Sequence, residues 1–386
     1  MSHTRRRATI VTAAAASVVA GAALLPNWSA GASTTAEPEV DAKTKATFQR
    51  LADAVFTDRT NALVDKPGKG KGPLTDGFSG KVALSSGSAR TEDSALGQLG
   101  ERRDRLAKYG EKYSEGGTSV TLDRTRVHGR KAVVRVTETT KLVYKKVRGD
   151  EPKTTGFQAH HELTFRANEG GDWRLTGIRE TDDGYLAVNQ PLKPKGVAAT
   201  TADDDMPSAP RAATTRPAPA KPKNLNAGGY DYKAMAAYAE KYWSNYNPAY
   251  PNFNGHGAGG DCTNFVSQSL KAGGWKHAPG YVYDYTKWFG NADIQSDSFV
   301  GVNEWSWFAL NSKRVTSLAN VYQMDVGDVL QVDFDKDGSK DHTMIVTQRS
   351  AQGVPYLTYH SSNTYRRSLA SIIASYPNSA YYAYRT

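Results

Sequence analysis

A stretch rich in alanine, threonine and proline, residues 196–229, divides the chain into two parts of different composition. It has no periodic apolar face that could be buried, which is typical of a solvated, semi-extended linker. The part before it carries the formal net charge of +10, whereas the part after it is neutral and holds most of the tyrosines and tryptophans. The sequence therefore predicts two domains, residues 33–195 and residues 230–386.

The first 32 residues have the pattern of a secretory signal peptide. Three arginines, Arg5–Arg7, precede an apolar run from Ala8 to Leu25, and small residues surround a cleavage position near Ala32. The pattern leaves open whether export uses the general or the twin-arginine route. No later stretch is long and apolar enough to span a bilayer. We expect a secreted, extracellular protein without a membrane span after signal cleavage, and association with the cell wall is compatible with this location.

Residues 33–195 are expected to form a small, basic α+β accessory domain. Apolar residues at helical spacing predict one helix over 48–56 and a second near 96–99, and short β-prone segments predict an antiparallel sheet after them. His160 and His161 are adjacent in a predicted strand, so they point to opposite faces and cannot ligate one metal ion. The basic surplus is compatible with docking on an anionic wall polymer or with a simple solvated surface. We expect no nucleic-acid partner.

The single cysteine, Cys262, lies where a glycine-rich loop enters a predicted helix. Asp261 can cap this helix, and Gly273 with Gly274 predicts its end. The positive end of a helix favours a thiolate, so we expect a lowered thiol pKa. An unpaired thiol in an oxidising compartment needs a reason, and catalysis supplies one. The alternative is a small buried apolar residue.

A catalytic thiol needs a base, and His342 is the candidate. It begins a predicted strand on which Met344 and Val346 share its face, and from there an imidazole can reach a helix terminus packed on the sheet. His360, at the end of the next predicted strand, or Asn363 just after it, could bond the second imidazole nitrogen and fix its tautomer. His256 and His277 are expected at the surface or in a substrate cleft.

Four segments then resemble a known family: Gly260–Gln268, Gly327–Leu330, Asp341–Thr343 and Tyr359–Asn363. Together they look like the putative amidase domain of the papain-like superfamily, which is related to NlpC-type and CHAP peptidoglycan hydrolases. The resemblance implies an α+β fold in which a helix-borne cysteine packs on an antiparallel sheet. It also implies Cys262 as nucleophile, His342 as base and then acid, and His360 or Asn363 as orienting group. A tyrosine upstream of the cysteine often assists in this superfamily, and Tyr246 and Tyr250 both remain candidates.

An acidic turn, Asp333–Ser339, begins like a calcium-binding loop, but Met344 occupies the position of the last, bidentate ligand. We therefore interpret it as an acidic β-turn and expect neither a metal nor a cofactor. Four tryptophans could line a cleft but are more often part of a core: Trp275, Trp288, Trp305 and Trp307.

The predicted function is that of a secreted cysteine amidase or peptidase, which hydrolyses amide bonds through a thioester of Cys262. A secreted enzyme of this kind meets cell-wall peptides first, so peptidoglycan is the expected substrate. Two alternatives remain open. One is a noncatalytic wall-binding protein that keeps the fold, and the other is an acyltransferase that uses the same thioester.

Overall fold

The computed structural model describes residues 40–65, 83–191, 209–216, 222–227, 229–256 and 260–386. From Val40 onwards the chain forms one compact unit. The predicted signal peptide lies outside the described residues. Among the described residues, no helix combines the length and the apolar character needed to cross a membrane.

The N-terminal segment consists of two helices and a long antiparallel sheet. Helix α1 begins after Asp41, whose carboxylate accepts a hydrogen bond from the Thr44 backbone N–H, and its apolar side, with Phe48 and Phe56, packs on the sheet. The predicted helices and sheet are confirmed, and the α+β class with them. The elements are α1 (Ala42–Asn61), β1 (Ala83–Leu84), α2 (Ser86–Lys108), β2 (Tyr113–His128), β3 (Lys131–Tyr144), β4 (Thr154–Ala167) and β5 (Trp173–Glu180).

The C-terminal segment places helices on both faces of a second group of antiparallel strands. On one face Ile345 packs against Phe265 and Val266, and on the other Met344 packs against Leu369. The elements are α3 (Tyr232–Tyr242), α4 (Cys262–Ala272), α5 (Asp297–Val300), α6 (Val302–Asn311), β6 (Thr316–Leu318), a 3₁₀ turn (Val321–Gln323), β7 (Val329–Asp333), β8 (His342–Arg349), β9 (Pro355–Tyr359), β10 (Thr364–Ser368), α7 (Leu369–Ser375) and β11 (Ala380–Arg385).

The strands of both segments join in one sheet. Its order is β1-β5-β4-β10-β9-β8-β7-β11-β6, and β3 and β2 follow along the other edge of β4. The junction is short: Thr364 pairs with Phe157 and Tyr365 with Gly156. It forms because β4 is longer than β5, which leaves the first residues of β4 with an open edge for β10. The division into two separate domains stays a prediction.

Most described residues of the linker are exposed, but some of its groups bind the C-terminal segment. The backbone N–H of Ala212 donates to the Tyr381 carbonyl at 2.7 Å, and that of Ala213 donates to the Ala319 carbonyl at 2.8 Å. The side chain of Lys223, further along, is 7% exposed and binds the Asp328 carboxylate at 2.8 Å. These contacts attach parts of the linker to the C-terminal segment.

Candidate active site

Helix α4 begins at Cys262, as the sequence predicts, and Gly274 follows its end in the left-handed conformation with φ +100°. The preceding loop is tightly packed: a side chain at Gly260, where φ is +93°, would collide with Ser361. Asp261 is fully buried and does not cap α4. Its carboxylate accepts hydrogen bonds from the Phe253 backbone N–H at 3.1 Å and from Asn264 Nδ2 at 2.8 Å.

The Cys262 side chain is buried and only 2% exposed. Thr263 Oγ1 lies 3.8 Å from the sulfur and 2.9 Å from Thr343 Oγ1. Burial raises the pKa of the thiol above its ordinary value, although the two threonines act in the opposite direction. The sequence predicted a lowered thiol pKa, and this prediction is wrong. The loss of water around the thiolate and the nearby charge of Asp261 raise the pKa more than the helix terminus lowers it.

His342 is the first residue of β8, directly before Thr343. Its side chain shares a face of the strand with Met344, whereas Thr343 and Ile345 face α4, so the structure does not bring the His342 imidazole to the Cys262 thiol. Its ring stacks on Tyr185 with 4.6 Å between ring centroids and meets the edge of Tyr359 at 5.1 Å. Among the described residues, neither ring nitrogen has a hydrogen-bond partner. Burial, with the positive Arg367 nearby, lowers the pKa of His342 to about 3. The resting pair is thus a neutral thiol and a neutral imidazole that no hydrogen bond joins.

His360 lies on the α4 side of the sheet, where Phe265 stacks on its ring at 4.0 Å. Its Nδ1 lies 2.6 Å from Asp261 Oδ2, and its Nε2 donates to the Tyr242 carbonyl at 2.8 Å. Both nitrogens are therefore engaged, and neither bonds the His342 ring. The expected orienting contact is absent in this conformation, and His360 instead holds the residue before the candidate nucleophile.

Asn363 is buried and is connected to His360 through Tyr246. Its Oδ1 accepts a hydrogen bond from the Tyr246 hydroxyl at 2.9 Å, and Tyr246 packs on His360 at 4.1 Å between ring centroids. Asn363 Nδ2 is buried without a partner among the described residues. Tyr250, in contrast, accepts a hydrogen bond from Lys271 and lies against Phe299. Of the two tyrosines, Tyr246 is the one at the site.

The other sequence candidates lie elsewhere. The acidic turn bends around Asp333, which accepts hydrogen bonds from the backbone N–H groups of Lys336 at 2.6 Å and Gly338 at 3.1 Å. One carboxylate oxygen each of Asp333, Asp335 and Asp341 can converge within 4.8 Å. These contacts are those of an acidic turn, and burial raises the pKa of Asp341 to about 6.

Three of the four tryptophans belong to the core rather than to a cleft: Trp275, Trp288 and Trp305 are buried, and Trp307 is half-buried. His277 is exposed and lies near the rings of Trp288 and Phe299. The interpretation of the tryptophans as core residues is the one that the structure favours.

A cleft of about 700 Å³ separates the N-terminal sheet from residues 244–256 and reaches Asn363. His160 and His256 line it. His161, which lies on the opposite face of β4, is fully buried beside Glu138 at 3.0 Å. The two adjacent histidines thus point to opposite sides of the strand.

Three features of the site were not predicted from the sequence. They are the stacking of Tyr185 on His342, the contact between Asp261 and His360, and the cleft. Tyr185 belongs to the N-terminal segment, and no local pattern relates it to His342. For Asp261 a signal was present, because an acidic residue directly before a candidate nucleophile is close to any histidine that serves it.

Two curated relatives match about a third of this chain. The uncharacterized protein YhbB of Bacillus subtilis (strain 168) is 34% identical over 144 residues, which are 35% of this chain and 44% of the relative. The uncharacterized protein YjcM of the same organism is 30% identical over 145 residues, 35% of this chain and 32% of the relative. The chain thus spans less than half the length of either relative.

Two solved structures cover a similar share of the chain. The intermembrane space region of the chloroplast protein ARC6 has a TM-score of 0.24 at 14% identity and covers 37% of this chain and 98% of its own. A nuclear transport factor 2-like superfamily protein from Salmonella enterica has a TM-score of 0.20 at 12% identity, with 42% and 96% covered. At these TM-scores neither likeness carries an argument about the fold. The family model described as "Putative amidase domain" matches residues 229–384, which supports membership of this part of the chain in that family.

Proposed function

We propose that the protein is a secreted cysteine amidase or peptidase with a papain-like arrangement, and that it hydrolyses amide bonds of cell-wall peptides. The observation that carries the proposal is the position of Cys262 at the start of α4, next to Thr263, whose hydroxyl lies 2.9 Å from that of Thr343 in β8. It brings the only thiol of the chain to the strand that bears the candidate base, within the segment that matches the amidase family. The predicted signal peptide supports an extracellular substrate.

The proposed reaction starts from the neutral pair. Because the His342 side chain lies on the face of β8 opposite to α4, the reaction requires the start of β8 to rearrange so that the imidazole reaches the thiol. Because burial disfavours both the thiolate and the imidazolium, proton transfer from Cys262 to His342 then accompanies attack on the amide carbon. The unpaired N–H groups of the first turn of α4 stabilise the oxyanion. His342 then returns the proton to the leaving amine, and water hydrolyses the thioester and regenerates the thiol. Attack of an amine instead of water would make the same site an acyltransferase.

A second candidate function is a noncatalytic wall-binding protein. The burial of both Cys262 and His342, 2% and 1% exposed, favours it, because a substrate must displace part of the structure to reach them. Tyr185 stacks on the His342 ring, and Tyr359 meets it edge-on. For the amidase, this arrangement predicts that substrate binding moves Tyr185 away from the imidazole.

The deciding experiment digests purified peptidoglycan with the mature protein and identifies the products by mass spectrometry. We expect new amines and carboxylates in wild type and a loss of at least about 10³-fold in Cys262→Ser and in His342→Ala, as for other nucleophile and base variants. His128→Gln, an exposed histidine on β2, serves as the matched control and should retain activity. Equal results for wild type and Cys262→Ser, with both bound to the wall, would support the binding protein. Products that carry a transferred amine would support the acyltransferase.

A further inference from the structure

The cleft of about 700 Å³ lies next to the candidate active site. Tyr246 forms part of its wall and packs on His360. His360 in turn binds Asp261, the residue before Cys262. A molecule in this cleft is thus separated from the loop of the thiol only by these side chains, and the volume suits a few residues of a peptide.

His160 projects into the cleft and is held in one orientation. Its Nδ1 lies 2.7 Å from Asp182 Oδ1, and its backbone N–H donates to Asp182 Oδ2 at 2.8 Å. Asn254 Nδ2 donates to the same carboxylate at 2.7 Å, so Asp182 is itself fixed. The hydrogen bond with Asp182 raises the pKa of His160 in spite of partial burial. His160 Nε2 has no hydrogen-bond partner among the described residues, and the side chain is 36% exposed, so this nitrogen can donate to a bound molecule.

Asn363 supplies a second unpaired donor. Oδ1 of Asn363 accepts a hydrogen bond from the Tyr246 hydroxyl, so Nδ2 points away from Tyr246. Asn363 is only 1% exposed. A buried amide donor without an acceptor costs roughly 1–3 kcal/mol unless something else accepts its hydrogen bond. Since Asn363 also lines the cleft, a bound molecule can supply that acceptor.

Asn363, which follows β9, lies beside the strand β4 that carries His160. The Asn363 carbonyl accepts a hydrogen bond from the Gln158 backbone N–H at 2.8 Å, and Gln158 lies two residues before His160. Gln158 and His160 therefore share one face of β4, and His160 and Asn363 both line the cleft.

Four carboxylates line the cleft: Asp123, Glu180, Asp182 and Asp183. Asp123 accepts a hydrogen bond from the Thr137 hydroxyl at 2.8 Å. The Asp182 carboxylate is hydrogen-bonded to His160 and Asn254. The Asp183 carboxylate accepts a hydrogen bond from the His256 backbone N–H at 3.1 Å. Arg179, at the rim, binds Glu162 at 2.8 Å and is 61% exposed, so it adds positive charge that is partly neutralised. The unpaired hydrogen-bonding groups identified here are both donors, which an anion satisfies and a cation does not.

We propose that this cleft binds a carboxylate of the substrate peptide, with His160 Nε2–H and Asn363 Nδ2 as donors and Asp182 holding the imidazole. That the ligand is a substrate rests on the proposed amidase function. The carboxylate site itself rests only on the geometry of the cleft. The amidase would accordingly prefer acidic peptides whose carboxylate lies close to the scissile amide.

The test measures binding without turnover. The full-length mature protein with Cys262→Ser is titrated by calorimetry with N-acetyl-alanyl-glutamate and with the corresponding diamide. We expect the carboxylate form to bind at least about tenfold more tightly, because charge-assisted hydrogen bonds are roughly twice as strong as neutral ones. His160→Gln and Asn363→Ala, each in the Cys262→Ser background, should weaken the carboxylate form about 5- to 10-fold and leave the diamide unchanged. His128→Gln, an exposed histidine outside the cleft, should change neither.

Equal affinities for the acid and the diamide would overturn the proposal, and so would a His160→Gln variant that binds like its parent. Because His160 is partly exposed, its loss should not prevent folding, which circular dichroism checks. Carboxylate binding in a protein whose wild type hydrolyses no amide would leave the cleft proposal standing and refute the amidase. Amide hydrolysis without carboxylate selectivity would refute the cleft proposal alone.

Discussion

Asp261 Oδ2 and His360 Nδ1 lie 2.6 Å apart, in side chains that are 1% and 2% exposed. The contact ties the loop before α4 to the end of β9, and it positions the residue that immediately precedes Cys262. A buried pair of this kind contributes little compared with apolar packing, yet the loss of one partner is costly because the other remains buried and unpaired.

Removal of Asp261 should therefore destabilise the protein strongly. Asp261→Ala leaves His360, the Phe253 N–H and Asn264 without their acceptor, and we expect a loss of about 3–5 kcal/mol in the free energy of unfolding, measured in urea. Asp261→Asn keeps an acceptor oxygen and should lose less. Asp293→Ala, at an exposed position, is the control and should stay within about 0.5 kcal/mol of wild type. If Asp261→Ala unfolds at the urea concentration of wild type, the pair has no structural role.

Local sequence patterns predicted the elements of this fold but not the contacts between its two segments. The end of α4 before Gly274 and the strand beginning at His342 follow from the glycines and from alternation, whereas the Asp261 side chain does not form the predicted cap. The stacking of Tyr185 on His342 joins residues far apart in sequence, which no local pattern encodes. The raised pKa of Cys262 escaped prediction for the same reason, because tertiary packing determines its burial.

Cys262 should react slowly with alkylating reagents in the folded protein. Burial raises its pKa and excludes reagent, so iodoacetamide at pH 7 should label it more slowly than free cysteine, and labelling should accelerate toward alkaline pH. Unfolding in urea should remove the protection. Mass spectrometry of the alkylated peptide gives the rates. Labelling at pH 6.5 that is faster than that of free cysteine would contradict the buried thiol and restore the thiolate expected from the helix terminus.

Tyr185 should govern access to His342. Tyr185→Ala removes the ring that stacks on the imidazole, and we expect a loss of about 3–5 kcal/mol in stability and a His342 pKa that moves from about 3 toward its ordinary value of roughly 6.5. Nuclear magnetic resonance titration of the imidazole proton measures that pKa. Tyr185→Phe should be neutral or slightly stabilising, because the buried hydroxyl has no partner among the described residues.

Tyr283→Ala, in a side chain that is 64% exposed, is the matched control for these tyrosine variants. It should change neither stability nor the titration of His342. A His342 pKa that stays near 3 in Tyr185→Ala would show that other residues, and not Tyr185, shield the imidazole.

Protonation of His342 should make the fold sensitive to mild acid. Its pKa is lowered to about 3 in the folded state and is roughly 6.5 when unfolded, so the unfolded chain binds more protons between these values. Stability from this residue is present above pH 6.5 and is lost as the pH falls, by about 2 kcal/mol at pH 5. His342→Leu should lack this part of the pH dependence in urea unfolding, whereas His128→Gln should retain it. Parallel pH profiles for wild type and His342→Leu would argue that the imidazole is solvated.

The two segments should stay together after the linker is cut. A specific protease site inserted between Thr200 and Thr201 allows cleavage at one position of the proline-rich stretch. Besides the pairing of β4 with β10, the Ser362 hydroxyl donates to the Tyr185 carbonyl at 2.8 Å, and Arg105 Nε donates to the Ala374 carbonyl at 2.9 Å. We therefore expect the two fragments to co-elute in gel filtration and to separate only in denaturant. Separate elution in native buffer would mean that the shared sheet contributes little and that the segments are independent domains, as composition alone suggests.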